Sequence, residues 1–151
     1  QPRTPDAIGA AAVAALREYV EAGGGLVVTH DAVGFRGLPA IIPEVCAGGI
    51  DKQNETRWIA VAEHPVTAGI PLGEPQEHSY YDHILLRPGP AGAVLAKSAA
   101  SDDAVVITGE FGAGRYVAIG LAVGLGDNTE DTPPEGAEAR LLLNAVTWAA
   151  G

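Results

Sequence analysis

The stretch Ala22-Gly23-Gly24-Gly25-Leu26-Val27-Val28-Thr29-His30-Asp31-Ala32-Val33-Gly34-Phe35 constrains the fold more than any other part of the chain. A helix-spaced pattern upstream runs into three glycines, the residue type that most readily ends a helix. Gly25 to Thr29 then reads as a short apolar strand without polar alternation. That pattern fits a strand covered on both faces in a parallel sheet. The strand stops at a polar pair, His30-Asp31. Ligands in open α/β sheets sit outside the carboxyl ends of the strands, so this pair is the first place to look for a site.

At 151 residues the chain has the length of one domain. Its formal net charge of −10 argues against nucleic acid, whose phosphates attract Lys and Arg, and against an anionic membrane surface. No apolar run approaches the roughly 18 residues of a membrane span, so a soluble domain is expected. Cys46 is the only cysteine, which excludes an internal disulfide but leaves the compartment open. There is no methionine, not even an initiator. Residues 1–151 therefore read as a single domain belonging to a longer chain.

Thr4, Pro5 and Asp6 form a helix start. Ile8, Ala12, Val13, Leu16, Tyr19 and Val20 carry helical spacing to a stop at Gly23. Leu38 to Cys46 reads as a short, proline-punctuated helix. Thr56 to Val61 reads as a strand, with Trp58 and Ala60 on one face. His64 to Pro71 is a turn-rich connector. Ser79 to Leu86 reads as a strand with Tyr81, His83 and Leu85 on one face and Tyr80, Asp82, Ile84 and Leu86 on the other. Ala93 to Lys97 is a further strand. Ala104 to Phe111 and Arg115 to Leu121 form a hairpin through Gly112-Ala113-Gly114. The acidic loop Asp127 to Asp131 precedes a final helix that opens on a Thr132/Glu135 capping box with Pro133. Leu141, Leu142, Ala145, Val146 and Trp148 make that helix's buried stripe.

His30 could act as a general base and Asp31 as its orienter or a ligand; the alternative is a pair that holds the turn. His78, Tyr80, Tyr81, Asp82 and His83 form the densest polar-aromatic cluster. Such faces suit a sugar-like ligand, and equally an edge strand facing solvent or a partner. Cys46 reads as a small core residue, because no base lies near it in sequence. His64 before Pro65 reads as a turn residue. The four histidines include no helical i, i+4 pair, and the acidic loop lacks the glycine of a calcium loop. No metal or other cofactor is expected.

Four segments together resemble one family. They are Leu16 to Val33, His64-Pro65-Val66-Thr67-Ala68-Gly69-Ile70, Gly109-Glu110-Phe111-Gly112-Ala113-Gly114-Arg115-Tyr116-Val117, and Leu142-Leu143-Asn144-Ala145-Val146-Thr147-Trp148. In order and spacing they resemble the ThuA-like (trehalose-utilisation) branch of the class I glutamine amidotransferase-like superfamily. The resemblance implies a flavodoxin-like three-layer α/β/α sandwich, with a mainly parallel sheet and a C-terminal antiparallel hairpin. It also implies that the first strand-helix-strand of the family is missing here. The amidotransferases carry a cysteine roughly where Thr29-His30-Asp31 stands, so glutaminase activity is not expected.

ThuA-like domains are associated with carbohydrate metabolism and are often fused to sugar-active enzymes. The expected function is thus an accessory or binding module. Its partner would be a small carbohydrate-like ligand or another domain of the same protein. A second reading is a sugar-directed hydrolase or isomerase using His30 and Asp31, with Tyr81 or Asp82 holding substrate. A third is an assembly module, forming homo-oligomers through helical faces or the Tyr80-Tyr81 strand.

Overall fold

The computed structural model describes residues 8–126 and 133–151. In chain order the elements are α1 (Ala10–Glu21), β1 (Gly25–Thr29), β2 (Cys46–Gln53), β3 (Arg57–Ala60), β4 (Pro75–Glu77), β5 (His83–Pro88), β6 (Ala93–Ser98), β7 (Ala104–Phe111), β8 (Gly114–Ile119) and α2 (Gly136–Ala150). Single 3-10 turns occupy His30–Val33 and Pro65–Thr67.

All eight strands belong to one open sheet in the order β1-β8-β7-β6-β3-β4; β2 pairs with β5, and β5 joins β7. The expected mainly parallel sheet is not what forms. Among the described residues β1 and β8 are the one parallel strand pair, running from Gly25↔Arg115 to Thr29↔Ile119, and the other strand pairs are antiparallel. The architecture is mixed α/β with a mostly antiparallel sheet, and it does not reproduce flavodoxin-like parallel layering. The reason is connection length: β7 follows β6 and β8 follows β7 through short turns, and a short turn can only reverse the chain. The β7–β8 hairpin matches expectation, with Gly112 at φ +58 in its turn.

The sheet is buried on both faces. Val117 and Ile119 of β8 pack with Trp58, Leu95, Leu141 and Ala145 on the α2 side. Tyr116 and Ala118 pack with Val20, Val28, Ile42 and Ile107 on the α1 side. Each fully buried aliphatic side chain contributes roughly 1.5–3 kcal/mol. Two glycines set how closely the helices approach. A methyl group on Gly25 would lie 2.0 Å from the Ala149 carbonyl oxygen, and one on Gly114 1.9 Å from that of Val20.

Several local expectations need correction. Leu38 to Cys46 is not helical; it runs through turns into β2, because Pro39 and Pro43 deny the backbone donors a helix needs. Ser79 to Asp82 lies outside any strand, and β5 begins only at His83. Thr56 and Val61 flank β3 instead of extending it, while Trp58 and Ala60 share its buried face as expected. β2 and β4 have no counterpart in the sequence reading. α1 ends as expected at Ala22–Gly23, but Tyr19 is exposed. α2 begins at Gly136, with Glu135 at its N-cap and no side-chain bond capping it, three residues later than the capping-box reading placed its start. Its buried stripe is Leu141, Ala145 and Ala149, with Val146 exposed. Thr4, Pro5, Asp6, the Asp127 to Asp131 loop and Thr132 lie outside the described residues.

Candidate functional site

The carboxyl end of β1 delivers His30 in the left-handed region, at φ +48. A side chain other than glycine there costs about 1 kcal/mol or more. The left-handed Gly34, at φ +108, closes the turn that follows. His30 Nε2 lies 2.8 Å from Asp82 Oδ1 and donates to that carboxylate. Asp82 is only 1% exposed, so the bond forms where solvent competes little. The other Asp82 oxygen faces Lys52 Nζ at 3.6 Å. On the far side of the ring, His30 Nδ1 is 3.3 Å from Asp31 Oδ1 without a hydrogen bond, and Arg36 Nε is 3.8 Å from the same oxygen. The result is an alternating row, Arg36–Asp31–His30–Asp82–Lys52, assembled from the ends of β1 and β2 and the segment before β5.

Two aromatic rings adjoin the row. Tyr80 meets His30 edge-on with ring centroids 5.8 Å apart, and Tyr81 lies 4.4 Å from Tyr80. Tyr80 is buried, whereas Tyr81 is 43% exposed and has Lys52 Nζ 5.9 Å from its ring centroid. The neighbouring Tyr81 hydroxyl pushes the Tyr80 phenol up to about 12, so Tyr80 is neutral at physiological pH.

Behind this surface lies a second, fully interior layer. His78 and His83 are 4% and 0% exposed. His78 Nε2 is 3.1 Å from His83 Nδ1, and His83 Nε2 is 2.9 Å from Ser98 Oγ. The Ser98 hydroxyl donates to Gln53 Oε1. If the serine proton goes to Gln53, its oxygen accepts from His83 Nε2–H, and His83 Nδ1 accepts from His78 Nε2–H. Burial holds both imidazoles down at about 4, so both are neutral at pH 7.

Glu138, buried in the first turn of α2, ties the site to the helix. Its carboxylate accepts from Ser79 N–H (3.2 Å) and Gly124 N–H (3.0 Å) and shares the single Ser79 hydroxyl proton (3.1 Å) with the Leu125 carbonyl oxygen (2.9 Å). Ser79 sits between His78 and Tyr80, so this carboxylate fixes the segment that supplies both layers.

The structure thus brings His30, Asp31, Tyr80, Tyr81 and Asp82 together and places His78 and His83 behind them. It also shows Lys52, Gln53, Ser98 and Glu138, which sequence reading missed. Their partners in the site lie 14 to 59 residues away in the chain, and no local motif marks them. Asp82, and not Asp31 as expected, makes the hydrogen bond that orients His30. Cys46 is buried in the core, and burial pushes its thiol up, as its core reading requires. His64 accepts from Val66 N–H through Nδ1, a turn role. Among the described residues no group of three or more His, Cys, Asp or Glu side chains is placed to hold a metal ion. No helix among them is long and apolar enough to cross a membrane.

No protein-family model matches the sequence, and no curated protein matches it. Solved structures do share the fold. A cytoplasmic protein of Salmonella typhimurium superposes with a TM-score of 0.65 at 19% identity, over 92% of this chain and 60% of that one. A protein described as thua-like from Bacteroides uniformis ATCC 8492 gives 0.64 at 21% identity, over 93% and 64%. A β-galactosidase from Bacillus circulans sp. alkalophilus gives 0.60 at 14% identity, with 90% of this chain matching 20% of the enzyme. The fold is therefore one found in ThuA-like proteins and within a larger glycosidase. The chain spans about 60% of the Salmonella protein's length.

Proposed function

We propose that this chain is a ThuA-like accessory domain that binds a small carbohydrate-like ligand, without amidotransferase chemistry. One observation carries the reading: a half-exposed Tyr81 ring beside a row of carboxylates and cations around His30. Sugars present apolar C–H faces to aromatic rings and hydroxyls to charged side chains. Tyr81 supplies the first kind of contact; Lys52 and Asp31 supply the second. The Asp31 side chain is a third exposed, and a ligand hydroxyl is a donor its carboxylate could accept from. The fold's occurrence in ThuA-like proteins and β-galactosidases supports a carbohydrate ligand. His30, not a thiol, stands at the strand end, and the sole cysteine is buried, which supports a non-glutaminase.

Titration with neutral mono- and disaccharides, followed by NMR, tests this. Binding should shift Lys52, Tyr81 and Asp82 resonances. Tyr81→Ala should weaken binding at least tenfold, about 1.4 kcal/mol, with an unchanged thermal midpoint. Absence of any sugar-dependent shift at those residues would rule the reading out.

The His30–Asp82 bond favours a second reading, a sugar-directed hydrolase or isomerase. A carboxylate on Nε2 leaves Nδ1 as the nitrogen able to take a substrate proton. That reading expects turnover of a nitrophenyl glycoside or a ketose–aldose pair, lost roughly 100-fold or more in His30→Gln. Wild-type protein that binds but never turns over would leave the accessory role standing alone.

A further inference from the structure

Among the described residues every left-handed backbone position is a glycine except two, His30 at φ +48 and Arg36 at φ +53. Glycine stands on either side of Arg36, at Gly34 (φ +108) and Gly37 (φ +82), where it adopts the same region without strain. Residues held in that region against their preference cluster at active sites and ligand clamps. Both exceptions belong to the charged row and flank Asp31 in it. His30 has its hydrogen bond to Asp82. Arg36 Nε lies 3.8 Å from Asp31 Oδ1, beyond hydrogen-bond length, and the Arg36 side chain is 55% exposed. That contact is too long and too wet to account for an arginine at a strained position.

The other cation of the row is in the same condition. Lys52 Nζ is 3.6 Å from Asp82 Oδ2, also beyond hydrogen-bond length, and its side chain is a third exposed. Both cations border the Tyr80-Tyr81 pair. Lys52 Nζ lies 5.9 Å from the Tyr81 ring centroid, and the Arg36 charge acts on the Tyr80 phenol, opposing its upward shift. The row is neutral by formal charge, but its charges are not equally accessible. Asp82 is buried and accepts from His30, and Asp31 Oδ1 is closed to solvent. The solvent side of the row therefore offers guanidinium and ammonium N–H donors against a single Asp31 oxygen. That surplus fits an acceptor-rich group, and a guanidinium grips a carboxylate or a phosphate through two parallel N–H bonds. The net charge of −10 opposes anions at long range, so the preference arises only on contact with these two side chains.

We infer that the site takes an anionic sugar, one bearing a carboxylate or a phosphate, whose ring lies on Tyr81 and whose acid group is drawn to the Arg36 and Lys52 cations that border it. The inference rests on the carbohydrate reading above and adds the class of sugar. It also gives Arg36 a part in the site, as a residue that sets the preference for acid over neutral ligands.

Calorimetric titration of the 151-residue chain with glucose, glucuronate and glucose 6-phosphate tests this, with acetate and inorganic phosphate as anions that lack a sugar. At least one sugar acid should bind tenfold or more tighter than glucose and than the matching sugarless anion. Which acid does so separates a carboxylate from a phosphate ligand. In Arg36→Gln and in Lys52→Gln the preference over glucose should fall below threefold. Arg36→Gly suits the left-handed backbone, so it should lose the preference while its thermal midpoint holds or rises. A lowered midpoint with the preference intact would make Arg36 a structural residue and sink the inference. Glucose binding as tightly as both acids would overturn the anionic class and leave the carbohydrate reading standing. Acetate or phosphate binding as tightly as the sugar acids would also overturn it, as an anion site with no sugar selectivity. Binding by none of the three sugars would remove both readings.

Discussion

Between pH 8 and pH 5 the domain is expected to lose roughly 2 kcal/mol of stability for each of the two interior imidazoles. The direction follows from their proton affinities. His78 and His83 are held at about 4 by burial, below the ordinary 6.5 of the unfolded chain. Below 6.5 the unfolded state takes up protons that the folded state refuses, so acid favours unfolding. The contribution is fully present above 6.5 and is lost as pH falls toward 4. Ser98 and Gln53 are neutral partners, and Asp82 and Glu55, though acidic, do not offset the cost of burying the charge. Domains of this size are typically stable by only 5–15 kcal/mol, so the loss is a large share of the total. Urea midpoints at pH 8, 6.5, 5.5 and 5 measure it. A His78→Gln/His83→Gln variant should start less stable at pH 8 and show a nearly flat profile down to pH 5. An unchanged slope in that variant would show that other groups drive acid unfolding. Glu55 titrates separately: Arg57 holds its carboxylate down at about 2, so its share is lost as pH falls from the ordinary 4.5 toward 2.

The sequence was legible where structure is local. Gly23 ends α1 because a left-handed residue does so wherever it falls, and β7 and β8 are largely apolar runs around a glycine turn that closes within a few residues. β2 was not legible, because Gly48, Gly49, Asp51 and Lys52 weaken strand propensity and the strand survives only through β5 and its two register shifts. β4 was hidden by Pro75, tolerated because the strand lies at an edge. Strand direction was not legible either, since alternation specifies a face and not a neighbour. The parallel expectation suited β1 and β8 and failed elsewhere. At the site, His30 and Asp31 were readable from a strand running into a polar turn. Asp82 was visible only as part of a cluster, and nothing in sequence shows that its carboxylate faces His30 while the next side chain, His83, turns inward.

The loss of Glu138 is the second large effect. Its carboxylate is buried, serves three donors and lies in the first turn of α2, where a negative charge is favoured by the helix dipole. Glu138→Ala should cost about 3 kcal/mol or more, because it leaves the Ser79 and Gly124 N–H groups without an acceptor inside the protein. Glu138→Gln keeps the volume but turns one oxygen into a donor, which then faces a donor. It should recover only part of the loss. The stability cost alone would mark Glu138 as a structural residue. Its place beside Ser79 makes a sharper demand: amide exchange should accelerate at Ser79 and Gly124 first, and any ligand held at Tyr81 should bind more weakly in Glu138→Gln even at temperatures where the variant is fully folded. Uniform acceleration across α2 with unaltered behaviour at residues 78–82 would mean that the carboxylate supports the helix and not the site.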